Sequence, residues 1–305
     1  MGACVVSSVA VGDFTPASDV DMIMVDASGE GKPGVHRKLL DGRVFEWVVV
    51  GEAYVTDVDA ILAHAGLTHD MLAAVILLDK TGRLEEVKRE VQLRYRSPEG
   101  IWKRTTGQLH RIRDAIDRMQ RQLEQQEILS AQRSHVSALK GIFGLPRALL
   151  NKRCTMTRAP LFCREATAEL GWSEYITDAL EIFGAARAHA QAVRGMRALA
   201  LEIVAATGFC DSEKAIRIRH LEGSQWLLAN AHPADAAWPL YFWSSKNVAE
   251  AGGNENEAVW GKWRELAAML GVQQEHELWE KQELSQHFLD SAIELADAYR
   301  PMLGL

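Results

Sequence analysis

The sequence predicts an α+β fold, in which a small mixed-sheet domain (residues 1–96) precedes an all-helical bundle domain (residues 97–305). In the first part, short segments rich in β-branched and aromatic residues alternate with Gly, Pro and Asp, as strands and turns do. After "SPEG" (97–100), apolar residues recur at steps of three and four, which is the period of an α-helix. This change of pattern places the predicted domain boundary near residue 96.

The first domain is predicted to contain four strands, in the sequences "ACVVSS", "DVDMIMVD", "GRVFEWVVVGEAYV" and "AAVILLD". Gly and Pro interrupt regular structure, so "SGEGKPG" is predicted to be a loop. "HRK" (36–38) is predicted to lie in a loop beside the third strand, where it would either reach a triphosphate or, more commonly, be solvated. A helix is predicted over "DVDAILAHAG" and the start of "THDMLAAV", with Thr68 as its N-cap. An amphipathic helix, "RLEEVKREVQLRY", follows the turn "DKTG".

The second domain is predicted to be helical throughout. Its first helix has one apolar face, formed by Leu109, Ile112, Ile116, Met119 and Leu123. Further helices are predicted at 158–170, 173–207, 212–231 and 255–298, with breaks at Gly144, Pro146, Gly208, Pro233 and "AGGN".

Composition narrows the class of protein. A chain of 305 residues with 48% hydrophobic residues is long enough for two cores. The net charge of -7 argues against a general nucleic-acid binder, which usually carries a basic surplus. The 4 cysteines show neither zinc-site spacing nor a disulfide pattern, and no apolar run is long enough for a membrane helix. We therefore expect a cytoplasmic protein with reduced thiols.

The segment "SDVDMIMVD" places two carboxylates on one side of a strand. Alternate strand residues face the same way, so Asp19 and Asp21 point together while Val20 points to the other face. Neighbouring carboxylates repel each other unless a cation or a shared proton compensates. The plainer alternative is a strand-end turn, in which Asp19 is a cap and Asp21 is merely exposed.

A third carboxylate, Glu46, lies among apolar residues of the next strand, and an isolated acid there is costly unless it has a partner. Packed beside Asp19 and Asp21, it would complete a cluster for hard cations such as Mg²⁺. Two such ions can hold both the attacking and the leaving oxygen of a nucleotidyl transfer. Small hydroxyl residues at Ser7 and Ser8 would let backbone N–H groups approach a phosphate, and Ser18 would fix Asp19 by a hydrogen bond.

Two of these segments resemble motifs of a known protein superfamily. "SSVAVGDFTPASDVDMIMV" resembles the serine turn and paired acids of the DNA polymerase β-type nucleotidyltransferase superfamily, and "DGRVFEWVVV" resembles its third-carboxylate strand. Within that superfamily, the chain looks most like the kanamycin and lincosamide nucleotidyltransferase group of bacterial enzymes, which have a helical C-terminal domain. The resemblance covers residues 4–95, and the remainder is similar only in being helical.

The resemblance implies that Asp19 and Asp21 hold two magnesium ions, that Glu46 holds the catalytic one, and that the Ser7–Ser8 turn binds the nucleotide phosphates. It also implies transfer of AMP from ATP to a hydroxyl of a small molecule, such as an antibiotic. It also leaves open a homodimer, because relatives often complete their active sites across a dimer interface. No membrane partner and no nucleic acid is expected.

The chain departs from the pattern of the superfamily in three ways. Ser7 stands where a glycine is usual, Val11 stands where relatives often have arginine, and no helix precedes the first strand. Two other functions therefore stay open. One is a protein-modifying, antitoxin-like nucleotidyltransferase, and the other is a degenerate module that binds nucleotides without catalysis.

Two further segments have a functional and a structural interpretation. The basic stretch at the domain junction would bind phosphates if it faced a cleft, but such stretches are more often the wet face of a helix; it comprises Arg94, Arg96, Lys103, Arg104, Arg111 and Arg113. The aromatic segment "WPLYFW" (238–243) would stack on a ligand or, more commonly, pack between helices.

Overall fold

A computed structural model of the chain describes residues 2–12, 19–26, 34–153 and 155–305. It contains two compact units, one spanning Met1–Gly107 together with Leu305 and the other spanning Gln108–Gly304. The predicted α+β class is confirmed, because the first unit holds a mixed sheet with helices and the second is built of helices.

The first unit is organised around a five-stranded sheet with the order β3-β4-β2-β1-β5. The strands are β1 (Gly2–Val6), β2 (Val20–Asp26), β3 (Gly34–Leu40), β4 (Arg43–Gly51) and β5 (Val75–Asp79). The central pair, β2 and β4, is parallel, whereas β1 pairs with β2 and β5, and β3 with β4, in antiparallel fashion.

Two strand predictions are corrected. The segment "HRK" was expected in a loop but lies in β3, which joins β4 through Asp41 and Gly42. Both turn residues have positive φ (48° and 73°), the geometry of a two-residue hairpin turn. The expected third strand also ends early: "EAYV" belongs to a short helix, α2 (Glu52–Thr56), because the chain turns at Gly51.

The remaining helices of this unit are α1 (Ser7–Ala10), α3 (Val58–Ala63), α4 (Ala65–Ala73) and α5 (Arg83–Arg94). The prediction of Thr68 as an N-cap is wrong. Thr68 lies inside α4, is fully buried, and donates its hydroxyl proton to the Ile61 carbonyl oxygen at 2.6 Å. Asp57 caps α3 by accepting from the Ala60 N–H, and His64 caps α4 by accepting from the Leu67 N–H.

One face of the sheet forms the core of the unit. In the parallel pair, Ile23 lies opposite Val48 and Val25 opposite Val50, so these side chains share one face. They pack in a cluster that also contains Cys4, Val6, Val55, Ala74 and Leu84. Burial of this apolar surface provides the main driving force for the sheet and its helices to associate.

The second unit contains α6 (Pro98–Glu124, which begins in the first unit), α7 (Ile128–Leu149), α8 (Ala159–Leu170), α9 (Ser173–Phe183), α10 (Ala190–Ala206), α11 (Asp211–Asn230), α12 (Pro233–Glu250), α13 (Glu257–Ala268) and α14 (Glu275–Tyr299).

The predicted break at Gly144 and Pro146 is wrong, because α7 continues through both. The predicted helix 173–207 is instead divided after Phe183, where Gly184 has a left-handed conformation (φ 80°). The predicted helix 255–298 is likewise divided, between Ala268 and Glu275.

The bundle core contains the aromatic segment of α12. Trp238 and Tyr241 are fully buried, and Trp238 donates its indole N–H to the Met156 carbonyl oxygen at 2.6 Å. The Tyr241 ring stacks on the Trp263 ring with centroids 5.4 Å apart. These contacts agree with the packing interpretation of "WPLYFW". Along the parts of the chain that the structure describes, no helix is long and apolar enough to cross a membrane.

His135 in α7 makes the bundle sensitive to acid. Its Nδ1 lies 3.1 Å from the Tyr241 hydroxyl and its Nε2 lies 3.1 Å from the Ile182 carbonyl oxygen. The pKa of His135 is lowered from 6.5 to about 3. Burial is the main cause and the charge of Lys281 a smaller one, while the hydrogen bond to Ile182 acts in the opposite direction. The native state therefore keeps this imidazole neutral, while the unfolded state binds a proton below pH 6.5.

We expect the free energy of unfolding to fall as the pH drops from 6.5 towards 3, by about 1.4 kcal/mol per pH unit for this one proton. Urea unfolding between pH 7 and 4 measures the slope. A His135→Gln variant should be less stable at pH 7 but lose less stability on acidification. The exposed His276, replaced by Gln, is the control; an equal slope in wild type and His135→Gln would contradict the prediction.

Candidate active site

The structure brings two of the predicted carboxylates together. Asp21 in β2 lies directly opposite Glu46 in β4, and the two strands run parallel. Their side chains therefore share one face, the face that also carries Ile23 and Val48 further along the strands. Asp19 precedes β2 by one residue, so the alternation of strand side chains does not apply to it, and its shared orientation with Asp21 stays a prediction.

Asp21 is buried and lies near other acidic groups. Burial and the charge of Asp19 raise the pKa of Asp21 from 3.8 to about 7, and Glu46 and Asp70 add smaller repulsions. The nearby Ser7 hydroxyl acts in the opposite direction by favouring the carboxylate, although its one proton is directed to Asp70 in the structure. Near neutral pH, Asp21 thus exchanges readily between its protonated and ionised forms, and a bound cation would favour the ionised form.

Glu46 has a counter-charge within the same sheet. Arg37 in β3 lies opposite Glu46, and its Nε donates to Glu46 Oε2 in an ion pair whose side chains are 17% and 26% exposed. The neighbouring His36 stacks on Trp47 with ring centroids 5.6 Å apart. The segment "HRK" thus contacts a candidate site residue from a strand, whereas it was expected to lie in a loop, either reaching a triphosphate or solvated.

Ser7 lies where β1 ends and α1 begins, at the same end of the sheet as Asp21. The predicted strand "ACVVSS" is shorter than expected, because Val6 is the last strand residue and Ser7 has a left-handed backbone (φ 64°). Ser7 Oγ donates to Asp70 Oδ1 at 3.1 Å. Ser8 follows in α1. The predicted hydrogen bond from Ser18 to Asp19 concerns a residue outside the described ranges.

Asp70 is the member of this group that sequence analysis missed. It lies in α4, half-buried, one residue before the fully buried Met71. Its sequence context, "THDMLAA", has no local pattern that distinguishes it from an ordinary helix residue. Only the packing of α4 against α1 and β1 brings its carboxylate to Ser7 and within electrostatic range of Asp21.

The donor chemistry of this group fits a hard cation. Carboxylate oxygens are the preferred protein ligands of Mg²⁺, and burial together with the charge of Asp19 raises the pKa of Asp21. Among the described residues, however, no three His, Cys, Asp or Glu side chains are grouped closely enough to hold a metal ion. The assignment of magnesium to Asp19, Asp21 and Glu46 therefore stays a prediction, and it requires side-chain movement.

The basic stretch at the predicted domain junction is largely engaged within the protein. Arg94 and Lys103 each contact Asp59 Oδ1 at 2.6 Å, and these contacts lower the pKa of the Asp59 carboxyl group. Arg104 is fully buried and donates to the Tyr95 carbonyl oxygen. These contacts favour the structural interpretation of the stretch.

No protein-family model and no curated protein matches the sequence. Among solved structures, the chain is similar to a nucleotidyltransferase-like protein from Exiguobacterium sibiricum. The two share 10% sequence identity and a TM-score of 0.34, and the match covers 82% of this chain and 73% of that chain. Similarity at this level does not identify an activity.

Proposed function

We propose that the protein is a nucleotidyltransferase that moves AMP from ATP to a hydroxyl group of a small molecule in the cytoplasm, an antibiotic being one candidate. The observation that supports this most directly is the position of Asp21 opposite Glu46 on neighbouring parallel strands, with the charge of Asp19 acting on Asp21. Asp21 is buried near like charges, and such a carboxylate is costly unless a ligand compensates it, whereas Glu46 already has a partner in Arg37.

Each residue has a specific role in this proposal. Asp19, Asp21 and Glu46 would hold two magnesium ions, and the Ser7–Ser8 turn would contact the nucleotide phosphates. When bound, magnesium would neutralise the triphosphate and stabilise the attacking and leaving oxygens. The acceptor oxygen forms a bond to the α-phosphorus, the bond from that phosphorus to the bridging oxygen breaks, and pyrophosphate leaves. A carboxylate takes the proton of the acceptor hydroxyl.

Isothermal titration calorimetry with a non-hydrolysable ATP analogue tests the proposal. We expect binding that requires magnesium and is lost in Asp21→Asn. The control is Glu85→Gln, which neutralises an exposed carboxylate in α5 and should leave binding unchanged. If the protein bound no nucleoside triphosphate, or if Asp21→Asn bound as tightly as wild type, the proposal would be wrong.

The ion pair between Arg37 and Glu46 favours a second candidate, a nucleotide-binding module without catalysis. An arginine that permanently neutralises Glu46 would remove one ligand from the cation site. Calorimetry separates the two candidates, because such a module would bind the analogue equally well with and without magnesium. A screen of hydroxyl acceptors would follow only if magnesium dependence were found.

A further inference from the structure

The conformation of Ser7 requires an explanation. A left-handed backbone favours glycine, because in other residues Cβ crowds the following carbonyl oxygen at a cost of about 1–2 kcal/mol. Ser7 has φ 64° without being glycine. Strain of this kind persists where surrounding contacts impose it, and it concentrates at functional sites.

The hydrogen bond to α4 is a contact that can impose this conformation, and because the Ser7 hydroxyl has one proton, this bond is made instead of one to Asp21. Ser7 Oγ donates to Asp70 Oδ1 at 3.1 Å, between residues 63 positions apart in the sequence. Hydrogen bonds to ionised groups are stronger than neutral ones. Since α4 also contacts α1 and β1, the Asp70 carboxylate is fixed relative to the turn that it contacts.

We propose that Asp70 is a positioning residue that holds Ser7 in its left-handed conformation and so fixes the turn between β1 and α1 beside Asp21. The inference rests on the proposed function where it concerns nucleotide affinity, because that turn is the one assigned to the phosphates. It does not assign Asp70 to the reacting atoms. Glycine at position 7 would adopt the same backbone without support, so the requirement for Asp70 depends on Ser7.

This dependence gives a double-mutant cycle with Asp70→Ala and Ser7→Gly. In the wild-type background, Asp70→Ala should weaken binding of the magnesium–ATP analogue about tenfold, as expected for loss of a hydrogen bond to a charged group. In the Ser7→Gly background, the same substitution should change affinity less than about twofold. Asp70→Asn retains an acceptor oxygen and should keep most of the affinity in the wild-type background.

A purely electrostatic effect of Asp70 on Asp21 predicts a different result. Removal of the Asp70 charge would then change affinity by the same factor in both backgrounds, and Asp70→Asn would behave like Asp70→Ala. Either result would overturn the inference. The cycle therefore distinguishes positioning through Ser7 from general repulsion and from loss of packing around α4.

Denaturant unfolding without nucleotide provides a readout that does not depend on the proposed function. The two substitutions should be coupled. Asp70→Ala should increase the unfolding equilibrium constant in both backgrounds, but by a factor about five times larger in the wild-type background than in Ser7→Gly. If nucleotide binding is absent but this coupling is present, the proposed function fails and the positioning role stands. If Asp70→Ala does not fold, the cycle is run with Asp70→Asn, which should show weaker coupling of the same sign; additive effects would refute the role.

Discussion

Replacing Asp21 with Asn is expected to abolish nucleotidyl transfer and, at the same time, to raise the free energy of unfolding above pH 7. Loss of transfer follows from removing the carboxylate at the centre of the proposed cation site. The gain in stability follows from removing a charge that burial, Asp19, Glu46 and Asp70 all disfavour. A buried carboxylate that lowers stability is better explained by function than by packing.

The pH dependence of the stability gain has a definite sign. The pKa of Asp21 is about 7 in the native state and 3.8 in its ordinary environment, so the native state binds this proton more tightly. Above pH 7 both states are ionised and the native state carries the full penalty. As the pH falls from 7 towards 3.8, Asp21 becomes protonated in the native state and the penalty disappears.

Urea unfolding of wild type and Asp21→Asn at pH 8 and pH 4, without divalent cations, measures this effect. We expect the variant to be more stable by on the order of 2 kcal/mol at pH 8 and nearly equal to wild type at pH 4. Glu85→Gln, which changes an exposed carboxylate, should show no such difference. A variant less stable than wild type at pH 8 would contradict the electrostatic interpretation.

Short-range rules predicted from the sequence which strands carry Asp21 and Glu46 and which face of its strand each occupies. Alternation along "DVDMIMVD" determines which side chains share a face, and the apolar run "VFEWVVV" identifies the second strand. These rules do not determine which strands are neighbours, since β2 and β4 are separated in sequence by β3. Their parallel pairing, which the sequence did not predict, places Asp21 opposite Glu46.

The strand β3 was missed although the sequence contains a signal for it. Asp41 and Gly42 form the dipeptide typical of two-residue hairpin turns, and "VHRKLL" precedes it. The charged residues of "HRK" concealed the strand, because an edge strand carries charges that a central strand does not. A two-residue turn at Asp41 and Gly42 also determines the hairpin register, and that register places Arg37 opposite Glu46.

The sequence contains no comparable signal for the contact between Asp70 and Ser7. The approach of Asp70 to Ser7 depends on how α4 packs against β1 and α1, and neither residue has a local pattern that indicates the other. The same limit applies to helix ends in the second unit. Apolar periodicity continues across residues 173–207, so the break after Phe183 becomes evident only from the backbone of Gly184 and its surroundings.

Gly184 is the position in the bundle where a single methyl group is expected to cause a large loss of stability. It ends α9 with φ 80°, and its N–H donates to the Glu181 carbonyl oxygen at 2.9 Å. A Cβ atom at this position would lie 2.0 Å from the Leu270 carbonyl oxygen. Because that neighbour is backbone rather than a flexible side chain, Gly184→Ala should destabilise the protein by about 3 kcal/mol or more.

Gly171→Ala is the matched control, because Gly171 ends α8 with a similar φ of 73° but a Cβ atom there would have no neighbouring atom within 4 Å. Gly171→Ala should lower the free energy of unfolding by only about 1 kcal/mol, which is the cost of a left-handed backbone at a residue other than glycine. Thermal and urea unfolding of both variants separate strain in the backbone from collision with Leu270. Equal losses in the two variants would show that the left-handed conformation alone determines the effect. A larger loss in Gly184→Ala would show that close approach of the chain near Leu270 requires glycine at this helix end.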